Sequence, residues 1–461
     1  MNEHYDLIVL GAGSAARDAA GKAKRDYGAN VAMVERERWG GSCPNIACRP
    51  TKAYLTAAEL VHDVNVEAAG RGIRVSRAEI DVAQLREWKN SIRRDQDSWV
   101  EVLGTQYTTV AGEATFADAR TVRVDGRDLT ADRILIATGG RTAVPPIPGL
   151  RDVQWLDHIS ALELERVPES LLVLGGGPVG LEFAQIFARF GSRVTLVNHG
   201  TQIAARADTE AAAELAAALE DEGIEIVLTP GGVERFTRTP RGITAELTGG
   251  RMIVVSDVLL ATGRVANVEA LGLDAIGVDA SPRGIGVDVH QRTSVDGIWA
   301  AGDAAAGPQL TPAAQYQARV AVDDMFGNVR DADYAVLPTA IFTDPELGGV
   351  GLTEAEARAV GFEVEVVKHP VAAVTRAQFS SSKRGLYKVV FDRATRRVLG
   401  VHVVSRGASD IVGTLALALR LGLTVDDMAA VHHVYPSYSE GLKAAAEQAT
   451  KVETKGQTLR V

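Results

Sequence analysis

The sequence predicts an α/β protein: two βαβ units followed by a C-terminal α+β region. Three observations carry that prediction. A strand, a glycine-rich turn, a helix and a second strand follow one another over residues 5–35, the same layout recurs over residues 171–198, and the pattern changes from about residue 337. The chain has 461 residues, 46% apolar and 23% charged, an ordinary globular balance that excludes disordered and fibrous classes. Its net charge of −10 argues against general affinity for nucleic acid or anionic membrane. No apolar run reaches bilayer length, and the longest, residues 411–419, suits a core or interface helix. The N-terminus lacks a basic region, so no signal peptide is expected. Two cysteines exclude a disulfide-stapled scaffold; lying within six positions of each other, they suggest chemistry in a reducing compartment, and a cytoplasmic location is expected.

In the first unit the strand from Tyr5 ends at Gly11-Ala12-Gly13-Ser14-Ala15-Ala16, and the second strand runs Val31 to Glu35. In the second unit the corresponding residues are Gly175-Gly176-Gly177-Pro178-Val179-Gly180, with a strand from Val194 to Asn198. Bare glycine backbone lets a pyrophosphate approach a helix N-terminus, where free N–H groups and the helix dipole hold it. One such motif is weak evidence. Two copies, each following a strand and opening a helix, favour two Rossmann-like dinucleotide-binding units. Glu35 stands where a carboxylate binds a ribose diol. Its counterpart is Asn198, followed by His199, so no carboxylate there would repel a 2′-phosphate; NADPH is weakly preferred over NADH. Loop roles for Asn198 and His199 are the alternative, and Arg206 could serve either purpose.

Two buried strands end alike, in Ala137-Thr138-Gly139 and Ala261-Thr262-Gly263. The proline-rich residues 144–149 suggest a crossing between domains. A further strand ends in Gly302-Asp303, ahead of a helical pattern over residues 311–326. Asp303 alone suits a helix cap better than a cofactor ligand. Beyond residue 337, strands near residues 340–342, 387–391 and 398–404 alternate with helices at 410–421 and 438–448.

The central chemical signal is Gly40-Gly41-Ser42-Cys43-Pro44-Asn45-Ile46-Ala47-Cys48-Arg49-Pro50-Thr51-Lys52. Cysteines five positions apart are too distant for a disulfide in an ideal helix, so a bridge needs a distorted first turn, for which Pro44 and Pro50 supply reasons. A helix N-terminus also favours a thiolate. Two buried structural cysteines are the alternative.

With this block, both glycine motifs, the Ala-Thr-Gly strands, Gly302-Asp303 and the segment Pro338-Thr339-Ala340-Ile341-Phe342-Thr343-Asp344-Pro345-Glu346, the chain resembles, over nearly its whole length, the FAD-dependent pyridine nucleotide–disulfide oxidoreductases. That family includes dihydrolipoamide dehydrogenase, glutathione reductase and mercuric reductase. The resemblance implies an FAD domain at residues 1–150 and 265–335, an NAD(P) domain at 151–264 and a dimerisation domain at 336–461. It implies that Gly11, Gly13, Ala16, Glu35, Gly41, Ser42, Lys52, Thr138, Gly139, Gly302 and Asp303 hold FAD, and that Gly175, Gly177, Gly180, Asn198, His199 and Gly263 hold NADPH or NADH. It implies a redox-active Cys43–Cys48 disulfide, with Cys48 against the flavin as the stabilised thiolate and Cys43 as the exchanging thiol. Lys52 would pair with Glu182 beside the flavin. The active site of the homodimer would be completed by the partner chain. No metal site is expected.

The family's His-x-His-Pro-Thr-x-x-Glu motif appears here as His433-Val434-Tyr435-Pro436-Ser437-Tyr438-Ser439-Glu440. Tyr435 replaces the acid–base histidine, and a phenol with a pKa near 10 is a poor proton shuttle at neutral pH. His432 and His433 are offset from that place and are expected to be structural. The expected substrate is therefore a small electrophile: a non-standard disulfide, a thioether or an oxidised sulfur species. Alternatives are a metal-ion reductase like mercuric reductase, a quinone reductase, a 2-ketopropyl-coenzyme M carboxylase-like enzyme, or a flavin-binding partner subunit without turnover. The mercuric reductases share the Glu440-Gly441-Leu442-Lys443 run but take up metal through a C-terminal cysteine pair, absent from residues 450–461.

Overall fold

The structure, a computed structural model, describes residues 3–380 and 383–454. Residues 455–461, the end of the region expected to be a dimerisation domain and part of its cysteine-free tail, lie outside them. The chain divides into two compact units: residues 1–51, 87–143 and 263–334 in one, and residues 52–86, 144–262 and 335–461 in the other.

The first unit centres on a five-stranded parallel sheet in the order Ile298–Ala300, Ile134–Ile136, Leu7–Leu10, Val31–Glu35, Thr108–Ala111. The three inner strands are runs of buried aliphatic residues, as a parallel sheet covered on both faces requires. Helix Ser14–Tyr27 covers one face with Ala15, Ala16, Ala19, Ala20 and Ala23, a stripe of small side chains that lets the helix lie close. It ends at Gly28, whose left-handed backbone (φ 68°) returns its N–H to the last carbonyls. The strand expected to start at Tyr5 is divided at Asp6. Glu3–Tyr5 pairs with Arg127–Ala131 in a separate four-stranded sheet, while Leu7–Leu10 enters the parallel one. Asp6 accepts the Asn30 N–H at 2.7 Å instead of continuing a ladder.

The second unit holds a four-stranded parallel sheet, ordered Glu225–Leu228, Arg193–Asn198, Ser170–Leu174, Asp257–Leu260, with helix Pro178–Phe190 packed on it. It also holds a five-stranded antiparallel sheet ordered Thr339–Ile341, Glu346–Gly351, Val398–Ser405, Leu386–Asp392, Val364–Pro370. Two of these five strands escaped sequence reading. Glu346–Gly351 contains three glycines, a composition poor for strands. The glycines serve close packing: a Cβ on Gly348 would fall inside 3.0 Å of the Ala408 carbonyl at the start of helix Ala408–Leu421. The last helix starts at Glu440, two residues later than expected, and runs to Thr454.

Lys388, 2% exposed, is buried in this unit. Its Nζ lies 2.9 Å from Asp208, 2.7 Å from Glu210 and 3.0 Å from Glu354. It thereby joins the helix that follows the nucleotide-type sheet to the antiparallel sheet. Removing it leaves three carboxylates facing one another. Lys388→Met is expected to destabilise this unit by about 3–5 kcal/mol, the usual cost of breaking a buried ion pair, seen as an earlier thermal transition in calorimetry.

Candidate active site

The cysteine segment is built as two helical pieces. Ser42–Asn45 makes one turn, Ile46 leaves helical geometry (φ −139°, ψ 0°), and a second helix runs Cys48–His62. The buried Asn45 side chain fastens the turn, donating to the carbonyls of Trp39 at 2.9 Å and Gly41 at 2.8 Å, while Arg93 donates to the Asn45 carbonyl at 2.8 Å. Gly41 has φ +75°, and a Cβ there would collide with the Cα of Gly13. The glycine pair thus presses the cysteine segment onto the first glycine turn.

Both cysteines are half-buried free thiols, one on each side of the break at Ile46. Cys48 Sγ lies 3.8 Å from the hydroxyl of Thr311, the first residue of helix Thr311–Met325. The Cys43 thiol is lowered from 9.0 to about 6, chiefly by a hydrogen bond from Cys48. Burial opposes the shift, while Thr311 and the charges of Arg17 and Arg49 add to it. The resemblance puts the stabilised thiolate on Cys48. The hydrogen bond between the two sulfurs, with the charges of Arg17 and Arg49 nearby, favours a thiolate on the pair.

Lys52, one turn beyond Cys48 on the same helix, is brought together with Glu182. Its Nζ is 2.9 and 2.8 Å from the two carboxylate oxygens. Glu182 is 5% exposed and also accepts the Phe342 N–H at 3.1 Å, and Lys52 sits 4.1 Å over the Phe342 ring. A two-point pair with a ring contact fixes the direction of an otherwise flexible ammonium.

The two glycine turns repeat one geometry. Gly11 (φ +111°) and Gly175 (φ +115°) each lie so close to the carbonyl of the neighbouring strand's last alanine, Ala137 or Ala261, that a Cβ would fall inside 3.0 Å of it. Gly13 and Gly177 cap the two helices without any side-chain hydrogen bond, leaving the first N–H groups free for an anion. Ala16 is buried in the first helix, and Gly180 packs against the Gly175 carbonyl. Glu35 accepts the N–H groups of Ala12 at 3.0 Å, Glu37 at 2.9 Å and Arg38 at 3.1 Å, which aims its carboxylate beside the turn. Asp303 takes Arg264 at 2.8 Å on one oxygen, and the Gly302 N–H donates to Gln317 at 2.8 Å. Thr138 donates to the Asn267 carbonyl, and Gly139 accepts the Asn267 N–H. Uncapped helix starts, bare glycine and ribose-height carboxylates form a donor set that fits FAD at the first turn.

The second turn differs at Asn198. Its Oδ1 accepts the Gly176 N–H at 3.2 Å and its amide donates to the Gln202 carbonyl at 2.8 Å, so this side chain ties the loop together. His199 is exposed, as is Arg206, and Gly263 makes a turn at φ +105°.

Tyr435 is 71% exposed and makes no hydrogen bond among the described residues. Glu440 accepts the Ser437 N–H at 2.9 Å and so holds its own segment. His433 contacts the Ser439 hydroxyl at 3.1 Å, and burial lowers its pKa.

Sequence reading did not single out Thr311, Arg17, Trp99 or Phe342. Only Thr311 carried a local signal, as the opening residue of a helix after the Gly-Asp turn. The hydrogen bond from Cys48 yields a direct expectation. Iodoacetamide alkylation of reduced Cys43 should accelerate as pH rises through about 6, because the thiolate forms there, and in Cys48→Ala the midpoint should move up toward the ordinary thiol range.

Residues 5–318 match the pyridine nucleotide-disulphide oxidoreductase family, and residues 337–446 match that family's dimerisation domain. The mercuric reductase of Lysinibacillus sphaericus is 37% identical over 452 residues, covering 96% of this chain and 82% of that one. The dihydrolipoyl dehydrogenase of Thermus scotoductus is 39% identical over 455 residues, covering 96% and 97%. Among solved structures, the Cu(II) complex of the HOCl-induced flavoprotein disulfide reductase RclA of Escherichia coli superposes with a TM-score of 0.86 at 28% identity, covering 97% of this chain and 100% of that one. The chain belongs to the pyridine nucleotide-disulphide oxidoreductases: it is an FAD- and NAD(P)H-dependent flavoprotein oxidoreductase with a disulfide redox centre, and its C-terminal domain makes it a homodimer.

Proposed function

We propose that the protein reduces a small disulfide or a related oxidised sulfur compound at Cys43, with Cys48 as the resolving thiol. The observation that carries this reading is the placement of two half-buried thiols on either side of the break at Ile46, where Cys48 donates to Cys43 and favours its thiolate. The Cys43 thiolate attacks one sulfur of the substrate disulfide. A bond from Cys43 to that sulfur forms, the substrate S–S bond breaks, and the departing thiolate takes up a proton. Cys48 then loses its proton and attacks the Cys43 sulfur, closing the Cys43–Cys48 bridge and releasing the second thiol. FAD, when bound, supplies the two-electron relay from NAD(P)H that reopens the bridge.

Gly11, Gly13, Ala16, Glu35, Gly41, Ser42, Thr138, Gly139, Gly302 and Asp303 are the residues proposed to hold FAD. Lys52, fixed by Glu182, would provide positive charge for it. Gly175, Gly177, Gly180, His199 and Gly263 would meet the nicotinamide nucleotide. Asn198 acts there by shaping the loop, and the absence of a carboxylate at its position supports NADPH over NADH. Tyr435 would form a wall or hydrogen-bond donor, acting with Glu440 across the homodimer. With no imidazole to protonate the leaving thiol, the favoured substrates are those whose thiols leave as stable anions. The domain limits expected from the sequence and a cytoplasmic setting belong to the same proposal.

A second reading, reduction of a metal ion, is supported by the mercuric reductase relatives and by the copper bound in the RclA structure. It needs no proton shuttle. Anaerobic titration with NADPH and NADH tests the proposal. A long-wavelength absorbance band should appear and be lost in Cys48→Ser. Cys43→Ala should lower disulfide turnover by at least about 1,000-fold, as loss of a nucleophile does. Full disulfide turnover in Cys43→Ala would refute the assignment of Cys43. Metal-ion turnover with no activity on any disulfide would select the second reading.

A further inference from the structure

Residues 199–207, between strand Arg193–Asn198 and helix Thr209–Asp221, form a loop that sits on the second glycine turn. The Ala204 N–H donates to the Gly176 carbonyl at 2.7 Å. Ile203 and Ala204 are buried, His199 and Arg206 are exposed, and the loop carries no carboxylate. Ala204 has φ +45°, a left-handed backbone that an alanine keeps only where its surroundings impose it. Asn198 holds the near end through the Gln202 carbonyl, and Gln202 in turn donates to the Ala207 carbonyl at 3.3 Å. The far end is Asp208, a buried helix cap whose carboxylate accepts the N–H groups of Glu210 at 3.1 Å and Ala211 at 3.4 Å. The same carboxylate is taken by Lys388, at 3.1 and 2.9 Å.

Two of the three carboxylates around Lys388 have another cation. Glu210 also pairs with Lys368, and Glu354 with Arg358 at 2.9 Å. Asp208 has no other ion pair among the described residues. The rest of helix Thr209–Asp221 is tied separately to the segment that leads into strand Leu386–Asp392: the Gly385 N–H donates to Glu214 at 2.9 Å, and Arg384 meets Asp221 at 2.7 Å. The helix therefore has other attachments to this part of the chain, and Lys388 acts on the corner at Asp208, where the loop becomes helix. A loop fixed in its receiving conformation spares a ligand the cost of ordering it, and the saving appears as affinity. Resting on the reading of the second glycine turn as the nicotinamide-nucleotide site, we propose that Lys388 is a positioning residue for that nucleotide: through Asp208 it fixes the loop on Gly176, and with it the cations His199 and Arg206 that meet the nucleotide. A residue of the antiparallel sheet thus sets nucleotide affinity without touching the nucleotide.

Nucleotide binding to the oxidised holoenzyme provides the test, with NADP+ and NAD+ titrated by calorimetry. Two variants break the pair. Lys388→Met removes the cation, and Asp208→Asn keeps an oxygen that caps the helix but gives Lys388 no charge, so it serves where Lys388→Met does not fold. In both, the tighter of the two nucleotides should bind about tenfold more weakly. With ferricyanide as electron acceptor, KM for NADPH should rise by a similar factor while kcat stays within about twofold, the signature of lost binding rather than lost chemistry. Bound FAD should be retained, and Lys388→Arg should recover most of the lost affinity. Val401→Ala opens a cavity in the core of the same antiparallel sheet, where Val401 is fully buried. It should lower the thermal transition and leave nucleotide binding unchanged. An equal loss of binding in Val401→Ala would reduce the effect to general instability and overturn the proposal. Unchanged binding in Lys388→Met and Asp208→Asn, with weakened binding in the double variant His199→Ala and Arg206→Ala, would overturn the positioning role and leave the nucleotide reading standing. Binding unaffected by that double variant would show that the nucleotide does not meet this loop and would sink both the proposal and the reading of His199.

Discussion

The chemistry depends on keeping two sulfurs at the start of a helix without making both part of it. A continuous helix would turn residues five apart away from each other. The backbone breaks at Ile46, between the single turn Ser42–Asn45 and the helix Cys48–His62, and Cys48 can then donate to Cys43. Asn45 anchors the break from inside, and Arg93 anchors it from another segment of the chain. This placement lowers the Cys43 thiol and so favours the thiolate that exchange requires.

The glycine turns serve the same end by a different route. In each, a left-handed glycine lies against the carbonyl that ends the adjacent strand, so the next helix begins directly beyond the sheet edge with its N–H groups open. At the first turn Glu35 receives the Ala12 N–H. At the second, Asn198 receives the Gly176 N–H at the same topological place. The carboxylate and the amide therefore do the same structural work, and only the carboxylate brings a charge.

Trp99 shows how an ordinary core residue orders its charged neighbours. Trp99 fills the space over Gly40 and gives Arg17 and Arg94 a flat surface to lie on. The indole rather than a carboxylate thus orders these guanidinium groups. Lys52, one turn beyond Cys48, is ordered instead by the two carboxylate oxygens of Glu182.

Much was legible in the order of residues alone. The glycine spacings, the Ala-Thr-Gly strand ends and the cysteine block are local features whose geometry the backbone imposes within a few positions. Glu35 and the cysteine pair could be singled out for that reason, while the roles of Cys43, Cys48 and Lys52 came from the family resemblance. The strand Glu346–Gly351 could not, because its glycines answer to a helix more than fifty residues away in the chain. Nor could the role of Trp99, of Thr311 beside Cys48, or of Asn198 as a loop tie, since each depends on which neighbour the tertiary structure supplies. The sequence by itself determined the family, because its motifs are short-range features, and the family resemblance implied the cofactors and the redox pair. Only the tertiary structure decided which cation meets which carboxylate, because charge balance is a property of residues brought together from distant parts of the chain.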